Sequence, residues 1–279
     1  MERVLVLLGA LAVLSLGFGL LEWRFPSVRG QRRFRRAGYF TDVAWWLFTP
    51  TAGKLFTGIV VAVTIITLGA VLGLGITGDH LRGVAERDTF IGRQPLLLQI
   101  GAFLLLADFL AYWSHRAHHT IGRLWKLHAV HHSSTEVDWL SSVRVHPLND
   151  AIGSTIVATP LLLLGFSVGT LGVYLPFLTL YAIGLHANVG WTFGPLRYVI
   201  SSPVYHRWHH SAEAEAIDKN FAGLFPLWDR VFGTLYLPKD RQPTTFGVVG
   251  DAPPAAFLAQ LVYPFRSPRK QPAAMFESA

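Results

Sequence analysis

The sequence predicts an all-α fold, a polytopic membrane helical bundle of about four to five spanning segments with a histidine-rich metal-binding cap on the cytoplasmic side. Three observations predict it. Of 279 residues, 51% are hydrophobic and only 15% are charged, against about 25% charged in an ordinary soluble domain. Apolar runs recur at the length that crosses a bilayer, roughly 20 residues. Histidines gather in short repeated spacings where those runs end.

Residues 4–21 form the first apolar run. A basic cluster follows it: Arg24, Arg29, Arg32, Arg33, Arg35 and Arg36. A cleaved signal peptide carries its charge before the apolar run and a small-residue cleavage site after it, so this segment reads as an anchor. The net charge of +7 and isoelectric point near 9.9 do not point to nucleic acid, because the excess sits beside an apolar segment. That placement suits anionic headgroups and a topology signal.

Residues 55–76 are the second span. Residues 96–113 are the third, apolar apart from Gln99 and Asp108. Residues 151–185 run without a charge, too long for one crossing. Pro160 and Pro176 interrupt them, with Gly165 and Gly169 between, so a helical hairpin is expected. The last forty residues are proline-rich, and 241–279 read as a loosely held tail. No repeat or low-complexity linker is evident.

Topology follows from charge. The arginine-rich loop, residues 22–54, belongs in the cytoplasm. Residues 77–94 then lie outside, and the third span returns His115 to the cytoplasmic face. If 151–185 fold back as a hairpin, the histidines near 206 reach that same face. The protein is expected in the inner or plasma membrane.

His115 and His119 are four apart, one helical turn on one face. His128, His131 and His132 form HxxHH, and His206, His209 and His210 repeat it. Eight histidines exceed the four ligands of one tetrahedral zinc and suffice for two metals. Imidazole suits iron, zinc, copper and nickel. The absence of cysteine excludes thiolate ligands, disulfides and cysteine nucleophiles.

"DFLAYWSHRAHH", "LHAVHHSS" and "HRWHHS" resemble the three histidine boxes of the fatty acid hydroxylase/sterol desaturase superfamily of integral membrane enzymes. "IDKNFAGLFPLWDRVFGTLY" is similar to the family's closing segment, most of all in the alkylglycerol monooxygenase-like branch. The resemblance covers residues 96–237 and implies a dinuclear iron centre on histidines that activates O2 to hydroxylate or desaturate a lipid. Residues 1–240 are read as the membrane-embedded hydroxylase domain, and beside the resemblance His186 is expected as a ninth ligand. Some relatives carry a further HxxxH pair, but position 190 here is Gly190, so a tenth ligand from that pair is absent.

The chemistry agrees with the resemblance. Attack on an unactivated C–H bond needs a redox-active metal, which zinc is not. Soluble di-iron bundles use Glu-x-x-His pairs, and this chain has none. No haem or flavin module is attached, so electrons must come from a separate donor, an external redox partner or a pterin.

Asp108 lies seven residues before His115, on the same helix face. An acid inside a span is a functional candidate, and here it is expected to orient a first-box imidazole. His118 points off the HxxxH face. His146 reads as structural, His80 as outside and irrelevant, and Asp229 with Arg230 as a structural ion pair. "GLGITG", residues 73–78, matches GxGxxG, but it ends a span rather than joining a strand to a helix. Gly69 and Gly73 suit close helix packing instead.

Two other readings compete. A membrane transition-metal-binding or transport protein should hold its polar ligands at mid-bilayer, whereas these boxes follow helix ends. A zinc-dependent membrane hydrolase would leave ligands in surplus and lacks a glutamate base within a box.

Overall fold

The computed structural model of the chain describes residues 2–32, 34, 36–71, 89–166 and 168–267, without the side chains of 168–175. His80 and residues 73–78 lie outside the described residues. Helix α1 (Glu2–Arg24) carries Glu2 in its first turn and Arg24 in its last, signs that suit the helix dipole. Its leucines and valines are largely exposed, as on a helix bathed in lipid; Glu22 alone is buried. Helix α2 (Tyr39–Phe48) runs through one π-turn, Thr49–Gly53, into α3 (Lys54–Val71). Pro50 has no N–H to give the ladder, and Thr51 Oγ1 takes up the carbonyls of Leu47 and Phe48 at 2.5 and 3.1 Å.

Helix α4 (Leu96–Thr120) ends where Ile121 turns extended, and α5 (Gly122–His132) folds back from it. A 3₁₀ turn, Trp139–Val143, leads to α6 (Pro147–Leu163) and α7 (Val168–His186). Three short helices follow: α8 (Pro203–His209), α9 (Leu227–Val231) and α10 (Phe257–Val262). Among the described residues no strand forms, and only two isolated bridges occur, Pro26 with Val189 and Ser211 with Phe246.

Three stretches are long and apolar enough to cross a membrane: Glu2–Arg24, Tyr39–Val71 and Leu96–Thr120. Pro176–His186 is a shorter apolar one. Residues 151–185 do divide into two helices, but the break is at Gly165 and not at the prolines. Pro160 and Pro176 sit inside α6 and α7. Gly165 has φ +92°, and a Cβ there would stand 2.3 Å from Thr89 Cγ2. Only glycine makes that turn without strain.

Helix α6 packs between α3 and α4, and α7 lies against the 139–143 turn and α8. Trp46 ties α2 to α1, its Nε1 donating to the Leu7 carbonyl at 2.8 Å. Beneath α2 lies a buried charge cluster. Arg36 bonds Asp138 at 2.5 and 2.7 Å and lies 2.5 Å from Asp42; Arg144 bonds Asp42, the Gly38 carbonyl and Ser133 Oγ. Burial alone would lower the Arg36 pKa, but Asp138 and Asp42 outweigh it and hold the guanidinium above its ordinary value. Gly38, at φ +78°, leaves room for Arg144: a Cβ would overlap its Nη2.

The expected loose tail is docked as far as residue 267. Gln260, fully buried, accepts from Trp45 Nε1 at 2.7 Å and donates to Ser133 Oγ at 3.2 Å. Phe246 and Tyr263 are buried with it. Proline richness there marks irregular backbone, not loose packing.

Candidate metal centre

Helix α4 continues beyond its apolar run and carries His115 and His119 one turn apart. The break at Ile121 reverses the chain, so α5 returns His128, His131 and His132 to the same place. The C-terminus of α7 supplies His186. Helix α8 starts on Ser202, whose Oγ accepts from Tyr205 N at 3.2 Å, with Pro203 preset in the first turn. Its other end presents His206, His209 and His210.

These nine histidines form two groups. His115, His119, His128, His132 and His209 make the first; His131, His186, His206 and His210 make the second. Within each, one ligand atom per residue lies within 4.8 Å of every other. In the first group Nε2 of His115 and of His132 stand 3.0 and 3.2 Å from Nε2 of His128, and His209 Nε2 is 3.0 Å from that of His132. In the second, Nε2 atoms of His131, His206 and His210 are each 3.1 Å from that of His186. The groups adjoin: His132 stacks on His210 with centroids 4.3 Å apart.

Six of the nine outward nitrogens find acceptors, while His206 Nδ1 is buried without one. His115 Nδ1 meets the Phe221 carbonyl at 2.8 Å, His131 the Arg144 carbonyl at 3.2 Å, His186 the Ala182 carbonyl at 2.7 Å and His209 the Lys219 carbonyl at 2.9 Å. His128 Nδ1 meets Asn149 Oδ1 at 3.0 Å and His119 Nδ1 meets Asp218 Oδ1 at 3.2 Å. An acceptor at Nδ1 fixes the proton there and turns the Nε2 lone pair inward. Burial, then neighbouring imidazoles, lowers the pKa of His128, His132, His209 and His210 well below 6.5, and His131 and His206 follow the same pattern. The rings are therefore neutral at pH 7. Inward lone pairs about 3 Å apart repel one another unless a cation lies among them, so both groups fit a metal ion. Nitrogen-only donors of this kind suit iron, zinc, copper or nickel.

Other expectations land differently. Asp108 meets no imidazole. Its Oδ1 accepts from the amides of Gly223 and Leu224 at 3.1 and 2.7 Å, and Oδ2 from Phe225 at 2.8 Å. It pins the 223–225 segment, next to the Phe221 carbonyl that holds His115. Asp229 is not paired with Arg230, which is exposed. It accepts from the amides of Phe221 and Ala222 at 2.8 and 2.9 Å, from Thr234 Oγ1, and from the Tyr205 hydroxyl. His118 bonds the Ser114 carbonyl and belongs to neither group. His146 caps α6, accepting from Leu148 N, while Nε2 meets the Leu261 carbonyl.

Asn149, Asp218 and the carbonyl acceptors belong to no motif in the sequence. The one legible signal is in "DKN". Asp218 and Asn220 have φ of 55° and 58°, a conformation these residue types tolerate best, and it turns the Lys219 carbonyl toward His209.

Cavities flank the groups. One of about 250 Å³ is lined by Leu104, Ala107, Leu178, Tyr181 and Leu185 and reaches His186 and His206. A second, of about 280 Å³, shares Ala111, Val157 and Gly223 with it and lies against His115, His128 and His131. On another side a cavity of about 260 Å³ holds Trp125 and Asp218 beside His119, His132 and His209.

Residues 100–234 match the family model described as fatty acid hydroxylase. The chain is 32% identical over 184 residues to the ornithine lipid hydroxylase of Rhizobium tropici, covering 63% of this chain and 54% of that protein. It is 36% identical over 134 residues to the alkylglycerol monooxygenase of Homo sapiens, 48% of this chain and 30% of the relative. The Danio rerio alkylglycerol monooxygenase is 35% identical over 130 residues, 47% and 29% of the two chains. The chain thus spans about half of the first relative and under a third of the others. No solved structure matches the chain.

Proposed function

We propose, from the match of residues 100–234 to the fatty acid hydroxylase family, that the protein is a membrane oxygenase that uses O2 to hydroxylate or desaturate a lipid. Two iron ions are the proposed cofactor, one held by His115, His119, His128, His132 and His209, the other by His131, His186, His206 and His210. The observation that carries the reading is the convergence of nine imidazoles, six buried and three half-buried, in two adjoining groups, with a largely apolar cavity ending on one of them. Iron bound there supplies the redox chemistry that attack on an unactivated C–H bond requires, which zinc lacks.

The chain's own residues do the rest. Six outward acceptors hold six of the nine imidazoles in the ligating tautomer. The Leu104, Leu178 and Leu185 side chains exclude water and line up a hydrocarbon chain beside His186 and His206. Asp108 and Asp229 fix the 221–225 segment that walls both inner cavities. Electrons come from a separate donor or a pterin. The ornithine lipid hydroxylase and alkylglycerol monooxygenase relatives suggest polar-headed lipids as the substrate class.

The test is O2 uptake by purified protein, metal-free and iron-loaded, with lipid mass spectrometry on membranes with and without the protein. Iron-dependent O2 uptake and a lipid that gains one oxygen atom, or loses two hydrogens, are expected. Metal transport, or hydrolysis without O2 uptake, would replace the reading.

A further inference from the structure

Between α1 and α7 lies a groove of about 290 Å³, lined on one side by Phe18 and Leu21 and on the other by Phe177, Leu180 and Gly184. Its walls are almost wholly hydrocarbon and aromatic. Tyr181 and Leu185 line both this groove and the inner cavity that ends on His186 and His206. The two spaces are therefore neighbours across one side-chain partition. Tyr181 is the larger part of it, pinned by its hydroxyl donating to the Ser201 carbonyl and stacked on Phe177 one turn away.

Gly184 shapes the groove. A Cβ there would sit in ordinary van der Waals contact with the Phe18 ring, at 3.9 and 4.0 Å, so a methyl fits and a larger side chain must extend into the groove. Helix α1 is long and apolar enough to cross a membrane, and beside the groove its Leu16 and Leu20 are 77% and 61% exposed. In a bilayer that surface faces acyl chains. Such a lining offers almost nothing to orient a polar headgroup and everything to bury a hydrocarbon.

We propose that the α1–α7 groove binds the aliphatic chain of the lipid substrate, which reaches the histidines from the bilayer side past Tyr181. The proposal rests on the lipid-oxygenase reading and adds to it the route and the residues that measure chain length. Gly184 sets the room in the groove, and Tyr181 sets the passage inward.

Two experiments test it. In the first, a hexadecanoic acid carrying a diazirine at its chain end is photolysed with the protein in nanodiscs, and cross-linked peptides are mapped. Cross-links are expected within residues 18–21 and 177–191, suppressed by excess unlabelled hexadecanoic acid and by Gly184→Leu. Cross-links spread over the outer faces of α1 and α3, indifferent to competitor, would overturn the groove. In the second, product formation is compared across a series of lipids of increasing chain length. One methylene in an apolar pocket changes specificity about tenfold or more. Gly184→Leu should therefore shift the long-to-short ratio of kcat/KM at least about tenfold toward short chains, Tyr181→Ala should shift it toward long ones, and the lipid-facing control Leu20→Trp should leave it unchanged. An unshifted ratio in Gly184→Leu refutes the groove while leaving the oxygenase standing. Oxidation of no lipid by the wild-type protein refutes the oxygenase, and the cross-links still report on the groove.

Discussion

Asp108 and Asp229 hold one segment from two directions, Asp108 taking the amides of residues 223–225 and Asp229 those of 221 and 222. The sequence marks Asp108 as unusual because an acid in an apolar run is costly, but it does not tell whether that acid faces a metal ligand or a backbone. Its partners lie 115 to 117 residues away, beyond any local pattern. Asp108→Asn keeps one acceptor and turns an NH2 toward a buried amide, a cost of about 1–3 kcal/mol. The expected protein is folded and less stable, with turnover lowered by up to about 10-fold, the low end of the effect of losing a group bonded directly to a ligand, because Asp108 acts on His115 only through the 221–225 segment. Iron content and thermal unfolding measured together check this. The histidines give a pH prediction too. Unfolded histidine titrates near 6.5, while burial holds the box-two and box-three rings well below that. Below about pH 6.5 the unfolded chain binds more protons, so stability falls as pH falls. Metal-free protein should unfold at lower temperature at about pH 5.5 than at about pH 7.5; an unchanged midpoint would mean that the rings are solvated.

At the scale of elements, periodicity shows α1, α4 and the helical box spacings, because apolar runs and i, i+4 pairs are local signals. The break at Gly165 is not local. It is closed against Thr89, 76 residues away, whereas Pro160 and Pro176 are both absorbed inside helices. The docked 241–267 segment is equally hidden, since Gln260 reaches Trp45 across 215 residues. The arginine-rich loop reads as a headgroup signal, yet Arg36 is buried against Asp42 and Asp138. That cluster positions box two through Arg144, whose carbonyl takes His131 Nδ1. Breaking a buried pair from one side costs about 3–5 kcal/mol. Asp42→Asn should lower stability by about that amount in a detergent unfolding assay and should reduce metal retention at the His131 group more than at the His115 group.

For the molecule as a whole, the proposed arrangement puts the arginine-rich loop and all three boxes on the cytoplasmic side. The chain has no cysteine, so single cysteines report cleanly. Arg29, Arg123 and Glu215 are exposed and suit labelling. An impermeant reagent should reach Arg29→Cys, Arg123→Cys and Glu215→Cys only after the membrane is permeabilised. Labelling of one of them in intact cells would place that segment outside and undo the topology. The central claim, two iron ions held by nine histidines, is tested most directly by iron content per chain in purified wild-type, His209→Ala and His131→Ala proteins, each of the variants removing a ligand from one group. The account predicts close to two irons in the wild type and about one in each variant. A wild-type content of one or none after iron loading, or two irons retained in both variants, would contradict it.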